Sequence, residues 1–272
     1  MKRIIPYLFF MLLMTGCVKQ ADWPMPGEAP DLIAVEAILT DENKIQTISI
    51  SHAVNGLNVI PPPVTGASVL VSDEDSVWQL ISDTLHPGAY VSRTPFSARL
   101  DHSYRLEILV QGKFYSALAS MAPGRLFNEL RYKKNEQDNW YHIDWVASAF
   151  SADFPAMWEV LIDWSAVPGF EGMDPDQCRV RLLFYTLSTL DVSEIFAPAV
   201  EQISFPAGSI ITERRYSLTT VHATFLRELL LETNWQGSLF PSTNANVSTN
   251  LSEGAAGYFG VCAVTELSLV VE

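Results

Sequence analysis

The side chains that could carry chemistry in this chain of 272 residues are few and scattered. Its five histidines are His52, His86, His102, His142 and His222. None is paired at metal-ligand spacing, and no H-E-x-x-H stretch puts two imidazoles on one helix face. There is no G-x-S-x-G elbow to present a nucleophile and no P-loop to cradle phosphates. The chain holds 31 Asp and Glu. Glycoside cleavage needs two carboxylates whose separation is spatial, so no pair can be singled out by position. Asp73, Glu74 and Asp75 invite calcium but lack the further ligands and the glycine of a calcium loop; they read as an exposed hairpin turn. Arg131, Lys133 and Lys134 are the densest basic group and read as a solvated strand edge. These residues predict no catalytic site, no cofactor and no metal, and hence no enzyme.

Cysteine is the remaining reactive type. Cys17 closes the stretch Leu13-Met14-Thr15-Gly16-Cys17, behind an apolar run from Ile4 to Met14 and the positive pair Lys2 and Arg3. A helix over that run would reach roughly 16 Å, about half of a bilayer's hydrocarbon core. Those are signal-peptide proportions rather than those of a span. The small residues before the cysteine resemble a bacterial lipobox, which implies cleavage after Gly16 and a diacylglycerol on the Cys17 thiol. Two or more acyl chains anchor firmly where one does not. Removal of Lys2 and Arg3 would make the mature chain two charges more negative than its formal −14. Cys178 and Cys262 are left, and they are either a disulfide of an oxidising compartment or two buried thiols.

The expected organisation follows from these segments. Residues 1–16 form the signal peptide, and 17–30, containing "DWPMPGEAP", form a stiff tether rich in proline. Hydrophobic residues make up 48% of the chain and charged ones 18%, enough to build a sizeable core. The net acidity argues against nucleic acid as a partner, because phosphate binding needs a basic patch.

Over 31–122 short apolar runs alternate with turn signals. "LIAVEAIL", "IQTISIS", "ASVLV", "VWQLIS", "AYVSR", "YRLEILV" and "KFYSA" read as strands. In "YRLEILV" the residues Tyr104, Leu106, Ile108 and Val110 share one face by period two. Three prolines at 61–63 make a stiff connection into the next strand. Runs at this spacing predict a β-sandwich, and the order of turns and strands resembles an immunoglobulin-like or prealbumin-like module.

Over 123–272 the pattern predicts a second, mainly β (α+β) domain with one amphipathic helix near 218–233. Strands are expected at 140–148, 157–163 and 178–190. Leu218, Val221, His222, Phe225, Leu226, Leu229 and Leu230 form the helix's apolar face, with Ser217 as N-cap. His222 reads as a core histidine rather than a ligand. Asn246 and Asn250 begin N-x-S triplets in a polar loop. Gly254, Gly257 and Gly260 surround Tyr258 and Phe259; "GYFG" reads as a turn feeding one final strand.

The lipobox, "DLIAVEAILTDE", "PPPVTGASVLVSDEDS", "PGAYVSR" and "NVSTNLSEGAAGYFGVCAV" together resemble the domain of unknown function 4249 family of Bacteroidota lipoproteins. The resemblance implies an outer-membrane, lipid-anchored protein, on the periplasmic or the surface face, with a TonB-dependent receptor as partner. It implies no site residues beyond Cys17. The expected role is a non-catalytic accessory or binding component of such a transporter. A surface adhesin that binds glycan or protein, and an envelope hydrolase with an unfamiliar site, are the alternatives.

Overall fold

The computed structural model describes residues 32–54, 59–145, 153–187, 203–234 and 247–272. The signal peptide, the tether, Gly16, Cys17, Asn246 and the outer ends of two expected strands (146–148 and 188–190) lie outside the described residues. The strands are β1 (Ile33–Thr40), β2 (Thr47–His52), β3 (Ser68–Ser72), β4 (Val77–Ser82), β5 (Ala89–Ser92), β6 (Ser103–Val110) and β7 (Lys113–Ala122). Then follow β8 (Arg131–Lys134), β9 (Tyr141–Trp145), β10 (Ala156–Asp163), β11 (Arg179–Thr186) and β12 (Ile210–Ser217). Helix α1 (Thr220–Asn234) precedes β13 (Ala255–Cys262) and β14 (Val264–Val270). The fold is mainly β with one α-helix among the described residues, as the sequence predicts.

The seven runs expected before residue 122 all form strands. Their alternation sets the inward face: Ile33, Val35, Ala37 and Leu39 of β1 and Tyr104, Leu106, Ile108 and Val110 of β6 are buried in one core. The sheet they build departs from the expected β-sandwich. It closes as a barrel in the order β1-β13-β7-β6-β3-β4-β5-β2. The closing strand is β13, parallel to β1 from Ile33↔Ala255 to Thr40↔Cys262 and parallel to β7 at Val261↔Met121 and Cys262↔Ala122. A strand from beyond residue 250 thus completes a unit expected to end at 122. Closure leaves the barrel itself without an edge strand.

The proline segment continues the barrel wall past β5. Pro62 O accepts from His52 N at 2.8 Å, and Val64 N donates to Ile50 O at 3.0 Å. Gly88 lies beneath it at φ +89°, where a Cβ would come within 2.9 Å of Pro63 and of Ile50 O. Only glycine fits both that backbone conformation and that approach.

β11, β10, β12 and β14 form a second, antiparallel sheet in that order. On one face Trp158, Val160, Ile162 and Ile211 pack with Leu130, Phe205 and Cys178, and the β8–β9 hairpin lies against them through Tyr132, Tyr141 and Ile143. On the other face Met157, Tyr185 and Tyr216 meet Ile38 and Cys262 of the barrel and Leu218, Ala223 and Leu226 of the helical region. β12 was not among the expected strands, and "GYFG" lies inside β13 rather than in a turn.

The helix starts later than expected. Thr219 is its cap, with Oγ1 accepting from His222 N at 3.3 Å. Ser217 belongs to β12, and its Oγ accepts from Arg215 Nη1 at 2.6 Å. His222, Ala223 and Phe225 are buried as the apolar face requires, whereas Val221 is 63% exposed.

Candidate functional site

Four groups of polar or ionisable residues are positioned tightly enough to be tested as sites. The first surrounds the Asn250–Gly260 motif. β7 and β13 pair only at their C-terminal ends, and Asn250 fills the gap before that point. Its Nδ2 donates to Leu118 O at 2.9 Å and to Phe259 O at 2.7 Å, while Oδ1 accepts from Phe259 N at 3.0 Å. One carboxamide thereby imitates a peptide unit between two strands. Ser252 does the same lower down: its N donates to Ser116 O at 2.9 Å and its Oγ accepts from Ser116 N at 3.0 Å.

The glycines of the motif answer to close approaches. At Gly257, φ is +98° and a Cβ would stand 2.0 Å from Val35 O. At Gly260 a Cβ would stand 2.5 Å from the His222 ring. The absent side chains let β13 lie against β1 on one side and receive α1 on the other. His222 stacks on Tyr258 with ring centroids 4.5 Å apart, and Phe225 covers Tyr258 at 4.9 Å. His222 is 3% exposed, and burial pushes its pKa down to about 4, so it is neutral near pH 7. The Cys262 thiol, 3.9 Å from His222 Nδ1, is pushed up to about 12 by burial, with Asp41 adding to the rise. A neutral imidazole beside a protonated thiol is no activated nucleophile. The adjoining cleft, between Leu118, Val221, Asn250 and Tyr258, holds about 160 Å³. Ligand pockets usually enclose ~300 Å³ or more.

The second group joins barrel and sheet. Arg214 of β12 forms ion pairs with Glu42 of the β1–β2 turn, with Glu159 at 3.4 Å and with Glu266 at 3.3 Å. Glu159 also accepts from Arg181 Nε and from Tyr216 Oη, the latter at 2.9 Å. Arg214 Nε has no directed hydrogen bond, so its contact with Glu266 is ionic only. Burial raises the Tyr216 pKa, and its bond to Glu159 raises it further. Burial works to raise Glu42, but the Lys44 hydrogen bond and the Arg214 and Lys44 charges outweigh it and hold the carboxyl below its ordinary range. Asp41 adds a bond from Val264 N at 2.8 Å. These charges are spent on one another across a packed joint.

The third group is the acidic turn. Asp73 Oδ1 accepts from Asp75 N and Ser76 N at 2.9 and 2.8 Å, so the hairpin turn is as expected. The fold adds Arg99, whose Nη2 lies 3.3 Å from Asp73 and 2.9 Å from Asp75, and His102, whose Nδ1 lies 3.2 Å from Asp73 and 3.1 Å from Glu74. Asp73, Glu74 and His102 could offer three ligand atoms within 4.8 Å of one another. Arg99 already occupies the Asp73 oxygen nearest the imidazole, while His102 Nδ1 lies close to both carboxylates without a directed hydrogen bond.

The fourth is Glu213 alone. It is buried opposite Val160, with Oε2 accepting from Leu130 N at 3.1 Å and Oε1 without a partner. Burial raises its pKa to about 7; the Leu130 bond opposes this and Glu129 adds to it.

The remaining predicted residues do not converge. His86 pairs with Asp83 at 2.8 Å, and His142 Nδ1 lies 2.6 Å from Asn135 Oδ1. Lys133 pairs with Asp144 at 2.8 Å on the exposed β8–β9 hairpin. Cys178 and Cys262 are both buried and free, so the disulfide alternative is not realised. Cys178 belongs to the core of the second sheet and Cys262 to the helix-side cluster, which keeps the thiols in separate packing units. Sequence reasoning missed the Arg214 joint and Glu213. Its one hint was the Arg214-Arg215 pair inside an otherwise β-like run.

A family model described as "Domain of unknown function (DUF4249)" matches residues 20–166, just over half of the chain. The match spans the barrel strands β1–β7, the β8–β9 hairpin and β10. No curated protein matches the chain.

Proposed function

The chain belongs to this DUF4249 family, and from that premise we propose that it is a lipid-anchored envelope protein serving as a non-catalytic component beside an outer-membrane TonB-dependent transporter. The observation that carries the reading is Leu13-Met14-Thr15-Gly16-Cys17 behind a short apolar run. Cleavage after Gly16 leaves an acylated Cys17 at the new N-terminus, and a tether of about 15 residues then leads to β1. No helix among the described residues is long and apolar enough to cross a membrane.

The architecture supports a spacer-and-docking role. The barrel follows the tether, and the second sheet is joined to it by β13, β14 and the Arg214 ion pairs. Arg214, Glu42 and Glu159, and the Asp73 and Arg99 turn, are engaged with one another rather than aimed into a deep cleft. Trp158 and Trp164 are buried, and Trp78 stacks on Phe96, which favours core roles over an aromatic glycan platform.

Changing Cys17→Ser tests the anchor. The variant is expected to lose processing and to leave the membrane fraction; full retention there sinks the lipoprotein reading. Mild crosslinking and co-purification of the tagged protein from outer membranes test the partner. Recovery of the lipoprotein alone would count against the transporter association.

A further inference from the structure

The barrel has two chemically different ends, and the chain enters at only one of them. β1 begins at Ile33 opposite His52, the last residue of β2, and Ala53 N donates to Leu32 O at 3.0 Å. β5, β3, β7 and β13 also start at this end, and β4 and β6 finish there, as the parallel and antiparallel pairings require. The entry end therefore carries the β2–β3 connection, the β4–β5 turn, the β6–β7 turn and the segment leading into β13.

Those loops present bare apolar tips. Ile60 is 90% exposed and Val59 52%, just before the proline segment. Leu85, at the apex of the β4–β5 turn, is 82% exposed. Phe114, two residues past the β6–β7 turn, is 58% exposed and pairs across the strands with Leu109, itself 49% exposed. The acids of the described turns lie mostly at the other end: Asp41, Glu42, Asp73, Glu74, Asp75 and Asp101, six carboxylates against Lys44, Arg93 and Arg99, with Glu42 reaching the second sheet. Among the described residues of the entry-end turns, Asp83 and Glu253 are the carboxylates, accompanied by Lys113, His52 and His86. For a chain of formal charge −14, this is the end that meets an anionic surface with least repulsion.

We propose that the entry end of the barrel rests on the lipid bilayer, with Ile60 and Leu85 inserted among the headgroups and the second sheet held away from the membrane. The inference rests on the anchor reading: about 15 residues separate Cys17 from Leu32, a reach of at most roughly 50 Å. Exposed apolar side chains on loop tips bind weakly alone and act together with an acyl anchor, as amphipathic and lipid signals do in combination. The bilayer is the occupant because the same end carries both the chain leading to the anchor and the fewest acids.

The test uses the full, lipidated chain in vesicles of phosphatidylethanolamine and phosphatidylglycerol. Ile60→Cys, Leu85→Cys and, at the far end, Asp75→Cys are labelled singly with an environment-sensitive fluorophore; the native Cys178 and Cys262 are buried. Lipids carrying a nitroxide quencher in the acyl chain are then added. The expected result is about threefold stronger quenching at positions 60 and 85 than at 75. Equal quenching at the three positions, in vesicles that retain the protein through Cys17, overturns the inference and leaves the anchor intact. A Cys17→Ser sample retained as fully as the lipidated chain, with equal quenching at the three positions, overturns the anchor reading, and this inference falls with it.

Discussion

Glu213 and His222 are buried ionisable side chains whose charged forms the interior disfavours, and they bias stability with pH in opposite directions. His222 has a folded pKa of about 4, below its ordinary 6.5. Between those values the unfolded chain holds more protons, so stability falls as pH drops through the window. Glu213 has a folded pKa of about 7, above its ordinary 4.5. There the folded chain holds more protons, so stability falls as pH rises. From about pH 4.5 to 6.5 the two trends offset each other. Glu213→Gln removes one of them, and its stability is expected to climb over that window by about 3 kcal/mol relative to wild type. Urea unfolding at several pH values checks it, and parallel profiles for the two proteins would falsify it. The core role of His222 was legible, because it lies within an apolar helical stripe. Glu213 was not, because nothing local separates it from the other acids.

At the scale of elements, β13 is the strand on which the architecture turns, and its fit depends on Asn250. Replacing Asn250 with Ala removes three hydrogen bonds and strands the Leu118 and Phe259 backbone groups. The expected loss is about 2–3 kcal/mol, read as a lower urea midpoint at constant slope. Asn250→Asp should fail similarly, since it keeps the acceptor but loses the donor to two carbonyls. A loss below ~0.5 kcal/mol would show that the amide bridge is incidental. The first seven strands were readable because half-buried strands alternate, as "YRLEILV" does. β13 was not: Gly257 and Gly260 look like turn residues, while in the fold they are strand positions whose missing Cβ atoms admit Val35 and His222. Ser217 was mistaken for the helix cap for a related reason. Ser217 is the last residue of β12, a strand the sequence reading did not expect, and Thr219 takes the cap.

At the scale of the whole molecule, the barrel is assembled from β1–β7 and from β13, which lies in sequence between β12 and β14 of the second sheet. A fragment of residues 32–126 lacks the strand between β1 and β7. It is expected to remain without cooperative unfolding or dispersed amide resonances, and a well-folded fragment would refute this. Cooperativity between barrel and sheet should also show as a single transition of the intact chain, because parting them breaks the Arg214–Glu42 ion pair and exposes the packing of Ile38 and Cys262 against Met157, Tyr185 and Tyr216. The sequence by itself determined that the chain is mainly β, where most of the described strands and the α-helix near 220 lie, and that 73–75 form a turn. Those features follow from periodicity and turn chemistry, which are local. Only the tertiary structure decided that the first unit closes as a barrel, that Cys178 and Cys262 stay apart and that Arg214 meets Glu42. Asp41 and Val264 hydrogen-bond across 223 positions of sequence; such pairings depend on how complete elements pack, and no stretch of adjacent residues encodes them.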